Sequence, residues 1–345
     1  MSALWGKAGL RTWIVIVAIL VFCLPQSRAQ DFSGIINSVG SFFNSVGITD
    51  LYKYAKRHDS SFYDSPAGDF DVRLSMNLAG SIIHTKGSDA SDNSAFRTNI
   101  SSASVVNSSI TVCYKGIGLG YTFNPFSNGK GKDDNRFNLT LYGNLLGLDL
   151  SYHNIKSFSG YSRLGGEKYI IPYGDSGMKL FLLNGFIIFN HKHYSFPAGV
   201  GQSYIQKRSS GSLIGGISFS RNKTSVESVG FGEPSIQINS KVLSLGVGYG
   251  YNYVPREKVL LSFMFMPKFV VYDSSFVDVD HYDIRQTFKR PELTYSANLA
   301  AVRWYGKLYL ALTALADAYS SHHTDSGFQL LQIQWQLHAH VGFNF

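Results

Sequence analysis

Cross-links, charge and long apolar runs are all scarce in this sequence. Two cysteines occur, Cys23 and Cys113. Cys23 lies in a stretch expected to be cleaved off, so no intramolecular disulfide is available to hold the fold. Charged residues make up only 16% of the chain. The formal excess of +8 falls to +5 once Lys7, Arg11 and Arg28 go with the expected leader. That excess is dispersed, with no basic cluster, which excludes a nucleic-acid partner. No run of eighteen apolar residues occurs, which excludes a helical membrane protein. No Gly-x-Ser-x-Gly elbow or other local motif fixes a catalytic triad, so no enzyme is expected. No cofactor motif is present. His322-His323-Thr324-Asp325 lacks a third ligand at metal spacing, and adjacent histidines on extended chain point apart, so no metal is expected either.

What the sequence does have is long alternation. From Leu331 to Phe345 the odd positions are Leu, Ile, Trp, Leu, Ala, Val, Phe and Phe. The even positions, from Gln332 to Asn344, are Gln, Gln, Gln, His, His, Gly and Asn. Side chains alternate faces along a strand, so one face is wholly apolar and the other wholly polar. A soluble strand of about six residues has no need of such a run. A strand between lipid and a polar lumen does. Aromatics at 14% and thirty-four glycines suit a barrel with interfacial girdles and tight turns. The expected fold is all-β, a transmembrane antiparallel barrel in the bacterial outer membrane, surrounded by its lipid. Phe343 and Phe345, aromatics on the alternating last strand, are read as the insertion signal for the barrel-assembly machinery.

The start of the chain agrees. Lys7 and Arg11 precede the apolar run Trp13–Leu24, and Ser27 and Ala29 supply small residues for cleavage. Residues 1–29 therefore read as a signal peptide. Phe22 stands before Cys23 where lipid attachment needs a small residue, which favours cleavage. Residues 30–68 read as a periplasmic lead-in, partly helical: Phe32, Ile35, Ile36, Val39, Phe42, Phe43 and Val46 fall at spacings of three and four. A second short helix is expected from Asp50 to Lys56. The barrel is expected over 69–345.

Twelve strands follow from the period of two. They run from about Asp69, then over 105–115, 117–124, 135–143, 145–157, 178–190, 210–221, 236–252, 257–272, 291–304, 307–320 and 328–345. Short breaks at Lys115-Gly116, Gly143-Asn144, Pro255-Arg256 and Tyr305-Gly306 alternate with longer ones near 84–104, 125–134, 158–177, 222–235, 273–290 and 321–327. With a periplasmic N-terminus, the long connections fall outside, as in outer-membrane barrels. One connection, 191–209, is long where a periplasmic turn is expected.

Within that exception lies Tyr194-Ser-Phe-Pro-Ala-Gly-Val-Gly-Gln-Ser-Tyr-Ile-Gln-Lys-Arg-Ser-Ser-Gly-Ser212. It resembles the signature of an uncharacterised barrel family of Bacteroides-type bacteria, domain of unknown function 4421. That family tends to have Ala and Phe where this chain has Gly199 and Val200. Tyr114–Tyr121 and Leu139–Gly143 fit it too. The resemblance implies an outer-membrane barrel and brings no activity, ligand or catalytic residue.

Asp71, Arg73, Asp149, Asp317, His338 and His340 fall on inward faces, where charge avoids the cost of lipid exposure. They are expected to form either a paired network or a solute-selective constriction. His338 and His340 share a face, which suits hydrogen-bonded lumen residues better than a metal pair. Tyr249, Tyr251 and Tyr253 read as the aromatic belt, with Gly246, Gly248 and Gly250 behind them. Two functions fit: a passive or weakly selective pore for small hydrophilic solutes, or a structural or interaction barrel with a closed lumen. An outer-membrane hydrolase is a third, weaker reading. The exceptional connection is expected to fold into the lumen and narrow it through Gln202, Gln206, Lys207 and Arg208. In that arrangement Lys207 or Arg208 meets Asp149 or Asp317. Its rival is a segment that stays below the membrane, extending the flanking strands or docking a partner.

Overall fold

The computed structural model describes residues 57–345 except 67, 69, 89–94, 103–104, 115, 125–133, 165, 227–235, 275, 280–292 and 323–328. The expected signal peptide and the helices read at 32–46 and 50–56 lie outside the described residues.

Inward polar and outward apolar alternation rolls the chain into a closed antiparallel barrel of twelve strands. The wall consists of β2 (Phe70–Ser88), β4 (Val105–Tyr114), β5 (Ile117–Phe123), β6 (Asn135–Tyr142), β7 (Leu146–Leu164) and β8 (Glu167–Ile188). It continues through β10 (Ser210–Val226), β11 (Ile236–Arg256), β12 (Val259–Asp273), β14 (Leu293–Tyr305), β15 (Leu308–His322) and β16 (Gln329–Asn344). Each pairs with its neighbours in the chain, and β16 closes the ring against β2, from Asn344↔Asp71 to Gln329↔Lys86. Every outward position from Leu331 to Phe345 carries an apolar side chain, and the outer face of β12 likewise exposes Leu261, Phe263, Phe265 and Phe269. No helix among the described residues is long and apolar enough to cross a membrane.

Tight turns gather at one end. Gly116 makes the β4–β5 turn at φ 89, where an added Cβ would stand 2.4 Å from the Tyr142 carbonyl oxygen. Only glycine fits both the left-handed backbone and that approach. Tyr249, Tyr251 and Tyr253 face outward near this end and are exposed.

Two of the expected outer loops are in fact strands. β7 and β8 run on to Leu164 and back from Glu167, and within 84–104 the chain forms β3 (Ala95–Ser102). In these stretches Ile100, Phe158 and Ile171 are buried while Arg97 and Arg163 are exposed, so outward apolar alternation does not mark them; ladder hydrogen bonds hold them instead. A short β13 (Phe276–Val279) pairs with β11 within the expected loop 273–290.

β3 changes the cross-section. β2 pairs with β4 up to Ala79 and with β3 from Ile82 onward. On its other side β3 pairs with β7, from Ser102↔Phe158 to Phe96↔Leu164. The β5–β6 hairpin stops beneath it, so the wall loses two strands and continues outward with ten. Register shifts in β7 between Ile155 and Gly160 mark the change of partner. Side chains replace the missing ladder there: Asp134 Oδ1 accepts from Lys156 N at 2.6 Å, and Ser102 Oγ from Ser81 N at 2.8 Å.

Candidate functional site: the closed lumen

The connection between β8 and β10 enters the barrel. Ser195 caps a short helix α1 (Phe196–Val200), its side chain accepting from Ala198 N, with Pro197 in the first turn. Phe196, Pro197, Ala198 and Gly199 are all buried. The Phe196 ring packs against Phe186 at 5.0 Å and edge-on to Tyr142 at 5.7 Å. With Tyr194, Ile188, Ile214, Met264 and Met266 they form one apolar cluster. Ala198 faces a second, built from Leu260, Val302, Trp304 and Tyr309. Gly199 abuts the β12 wall so closely that a Cβ would lie 2.2 Å from Ser262 Oγ.

Polar anchors seize the plug's backbone from strands far apart in the chain. Arg73 donates from Nη2 to the Gly201 carbonyl. Its Nε donates to the Tyr309 hydroxyl at 2.9 Å, which donates in turn to Asp71 Oδ1 at 2.9 Å. Arg73 and Asp71 also pair directly at 3.5 Å. From β11, Asn252 Nδ2 donates to the Ser195 carbonyl at 2.8 Å and to Gln206 Oε1 at 3.0 Å. Gln206 Oε1 also accepts from Ser195 N, and its Nε2 donates to the His193 carbonyl at 2.7 Å. Gln202, in the left-handed region at φ 49, donates to the Gly199 carbonyl at 2.8 Å.

Lys207 and Arg208 do not turn inward, contrary to the pairing expected with Asp149 and Asp317. Both are exposed at the rim. Lys207 reaches Asp64 at 3.3 Å and the Ser60 carbonyl at 2.9 Å, and the Arg208 guanidinium lies over the Phe62 ring. The physical reason is desolvation: a cation keeps its hydration at the rim and would lose it inside. Their partners belong to residues 57–66, the described part of the lead-in, which forms a turn and β1 (Tyr63–Asp64) and straps the plug from below. β1 pairs with β9 (Ile205–Gln206), Tyr63 opposite Gln206. Tyr63 is fully buried, stacks on His58 and donates its hydroxyl to the His191 carbonyl. Burial, with Tyr204 alongside, pushes the Tyr63 phenol well above its usual range.

Above the plug lies a polar chamber. His340 Nδ1 sits 2.6 Å from Ser75 Oγ and its Nε2 2.9 Å from Thr313 Oγ1. His338 Nδ1 meets Asn77 Oδ1 at 2.6 Å, and the two imidazoles stack at 5.4 Å. Among the described residues no group of three His, Cys, Asp or Glu side chains is placed to hold a metal. On the adjoining strands Lys268 Nζ donates to Ser218 and Ser296, and Ser296 donates to Asp317 at 2.5 Å. Asp149 stands above Tyr142, whose hydroxyl approaches it at 3.4 Å. Asp149 and Asp317 are within electrostatic reach of each other and only half-buried.

An apolar cluster sits in the outer half of the lumen. Ile83, Ile100, Ile155, Phe158, Ile171, Met178, Leu180 and Leu330 form a buried cluster where the wall narrows. Gln332 on β16 donates to Met178 Sδ on β8 at 3.5 Å and accepts from Asn222 on β10 at 3.3 Å. Those strands face each other, so the contacts bridge the lumen. Sequence reasoning missed this closure and the anchors Tyr309 and Asn252. One signal existed: Leu180–Ile188 is apolar on both faces, which a lumen-facing strand requires only where its inner face is packed.

The family model for Domain of unknown function DUF4421 matches residues 57–345. The chain belongs to this family. No curated protein matches the DUF4421 chain. Solved structures similar to it include the outer membrane protease OmpT of Escherichia coli, at 12% identity and TM-score 0.41, covering 81% of this chain and 97% of that one. The translocator domain of autotransporter NalP from Neisseria meningitidis matches at 12% identity and TM-score 0.31, over 90% and 98% of the two chains. The toluene transporter TodX of P. putida matches at 8% identity and TM-score 0.24, over 81% and 91%.

Proposed function

We propose that this DUF4421 protein is an outer-membrane barrel with a closed lumen, an interaction or solute-retaining barrel and not a free-diffusion pore. The observation that carries this reading is the α1 segment, buried across the tight-turn end with Arg73 and Asn252 holding its carbonyls. The apolar bridge at Phe158 and Met178 supports it from the other end. Outer-membrane lipid covers the outward apolar face, and the barrel-assembly machinery inserts the chain. No catalytic role belongs to this reading: Ser75 touches His340, but the second ring nitrogen is taken by Thr313 and not by a carboxylate. In planar bilayers the intact protein is expected to show no steady open level. A constant ohmic conductance through the unmodified barrel would overturn the closed reading.

A further inference from the structure

The chamber between the two closures carries an excess of acceptors. Asp149 has no cationic partner among the described residues; its polar neighbour is the Tyr142 hydroxyl. Asp317 faces it, with Lys268 held one serine away. Asn298 is 2% exposed and its Oδ1 has no hydrogen-bond partner. It occupies the inward position next to Ser296, and Ser296 stands opposite Asp317 in the ladder. On the histidine side, Asn77 donates its amide to Ser109, so its carbonyl oxygen accepts from His338. The His338 proton is therefore on Nδ1, and Nε2 is a bare acceptor with no partner. Asn107 Oδ1 is unpartnered too, against a single such donor in this belt, Arg136 Nε. Buried acceptors without donors lose their hydration uncompensated, so a chamber built this way suits a donor-rich guest.

We propose that the chamber binds a small organic cation, a primary amine or short diamine, between Asp149 and Asp317 with Asn298 as a further acceptor. A diamine offers what Asp149 lacks, a cationic partner, and brings several N–H groups for unpartnered oxygens beside Asp317 and Asn298. Two carboxylates with amide and imidazole acceptors, and no three-ligand group among the described residues, suit an ammonium better than a hard metal ion. This inference rests on the closed-lumen reading, which keeps the guest inside.

The test is to refold the full chain from urea into detergent with 1,4-diaminobutane present, so that entry through a closed rim is not needed. Gel filtration follows, and retained amine is measured by mass spectrometry. The wild-type barrel is expected to retain diaminobutane and to leave 1,4-butanediol behind. Asp149→Asn and Asp317→Asn each should lower retention by about tenfold or more, as loss of a charged hydrogen-bond partner implies. Glu257→Gln, exposed between β11 and β12, should not change it. Competition in the wild-type barrel by butylammonium, but not by butyrate, reads the charge preference even where a variant fails to fold. No retention by a barrel that is silent in bilayers would overturn the site alone. Equal retention of butanediol, unchanged retention in both Asn variants, or equal retention of calcium would overturn the amine assignment. Loss of amine together with steady conductance would instead overturn the closed lumen.

Discussion

The two ends of the lumen are packed by different means. At the tight-turn end a separate length of chain is inserted, held by hydrogen bonds from Arg73 and Asn252 to its carbonyls and strapped from below by residues 57–66. At the outer end nothing is inserted. The strands themselves carry Ile155, Phe158, Met178 and Leu180 inward, where the wall has dropped from twelve strands to ten. The first closure belongs to no ladder of the wall; its pairing is the short one of β9 with β1. The side chains of the second are fixed by the register of β7 and β8.

Matched truncations put that contrast to the sharpest test. Phe158 and Phe196 are both almost fully buried. Phe158→Ala is expected to cost about 3–5 kcal/mol of barrel stability, the usual range for a buried Phe. Phe196→Ala should shift the barrel's urea midpoint far less and instead bring transient openings in bilayers. Equal midpoint shifts for the two variants would show that plug and wall unfold as one unit.

Next in size is the wall itself. Leu337→Arg places a guanidinium in lipid and should lower folding yield by about 2–4 kcal/mol in stability, whereas Gln336→Arg, facing the lumen, should fold. Heat-modifiability on gels compares the two directly, and equal yields would break the assignment of faces on which both closures depend.

A smaller effect is expected at the anchor. Arg73→Leu removes the charged donor to Gly201 and should loosen the plug by about 1.5–3 kcal/mol. Limited proteolysis between Val200 and Ser209 should then quicken while the barrel core stays resistant. Unchanged cleavage would mean that apolar packing alone seats α1.

The smallest effect concerns the strap. The Ser61 hydroxyl and then its N–H hold Asp59 below the usual carboxylate range. Burial pushes Asp64 up, but the Ser65 N–H and Lys207 outweigh it, and the net shift is again downward. A depressed carboxylate lends its stabilisation above the unfolded pKa and loses it as pH falls through the folded one. Cleavage within 57–66 should therefore stay slow at neutral pH and rise only as pH falls below the ordinary carboxylate range. A rise on the alkaline side instead would contradict the ion pairs.

Much of the wall was legible because lipid and lumen impose opposite demands on neighbouring residues. The run Leu331–Phe345 needs no other explanation, and the tight turns fall where the period breaks. β3 was not legible: Ala95–Ser102 buries Ile100 and exposes Arg97 and Ser101, the reverse of the outward apolar pattern, and only its ladders to β2 and β7 make it a strand. The excess length of 191–209 marked the plug, yet its charges misled. Lys207 and Arg208 invite pairing with buried acids, but water and Asp64 hold Lys207 at the rim, while Arg208 stays exposed over Phe62. The groups that do enter are Gln202 and Gln206, neutral and rich in hydrogen bonds, which lose less on leaving water.

The place where β3 replaces the β5–β6 hairpin has one more consequence. Barrel diameter follows strand number, so losing two of twelve strands shrinks the girth by about one-sixth. The wall is a funnel with its neck toward the outer connections. Polarity is thus written into the backbone and not only into the plug: above α1 the polar space tapers toward a ten-stranded neck, while the floor beneath it belongs to no ladder of the wall.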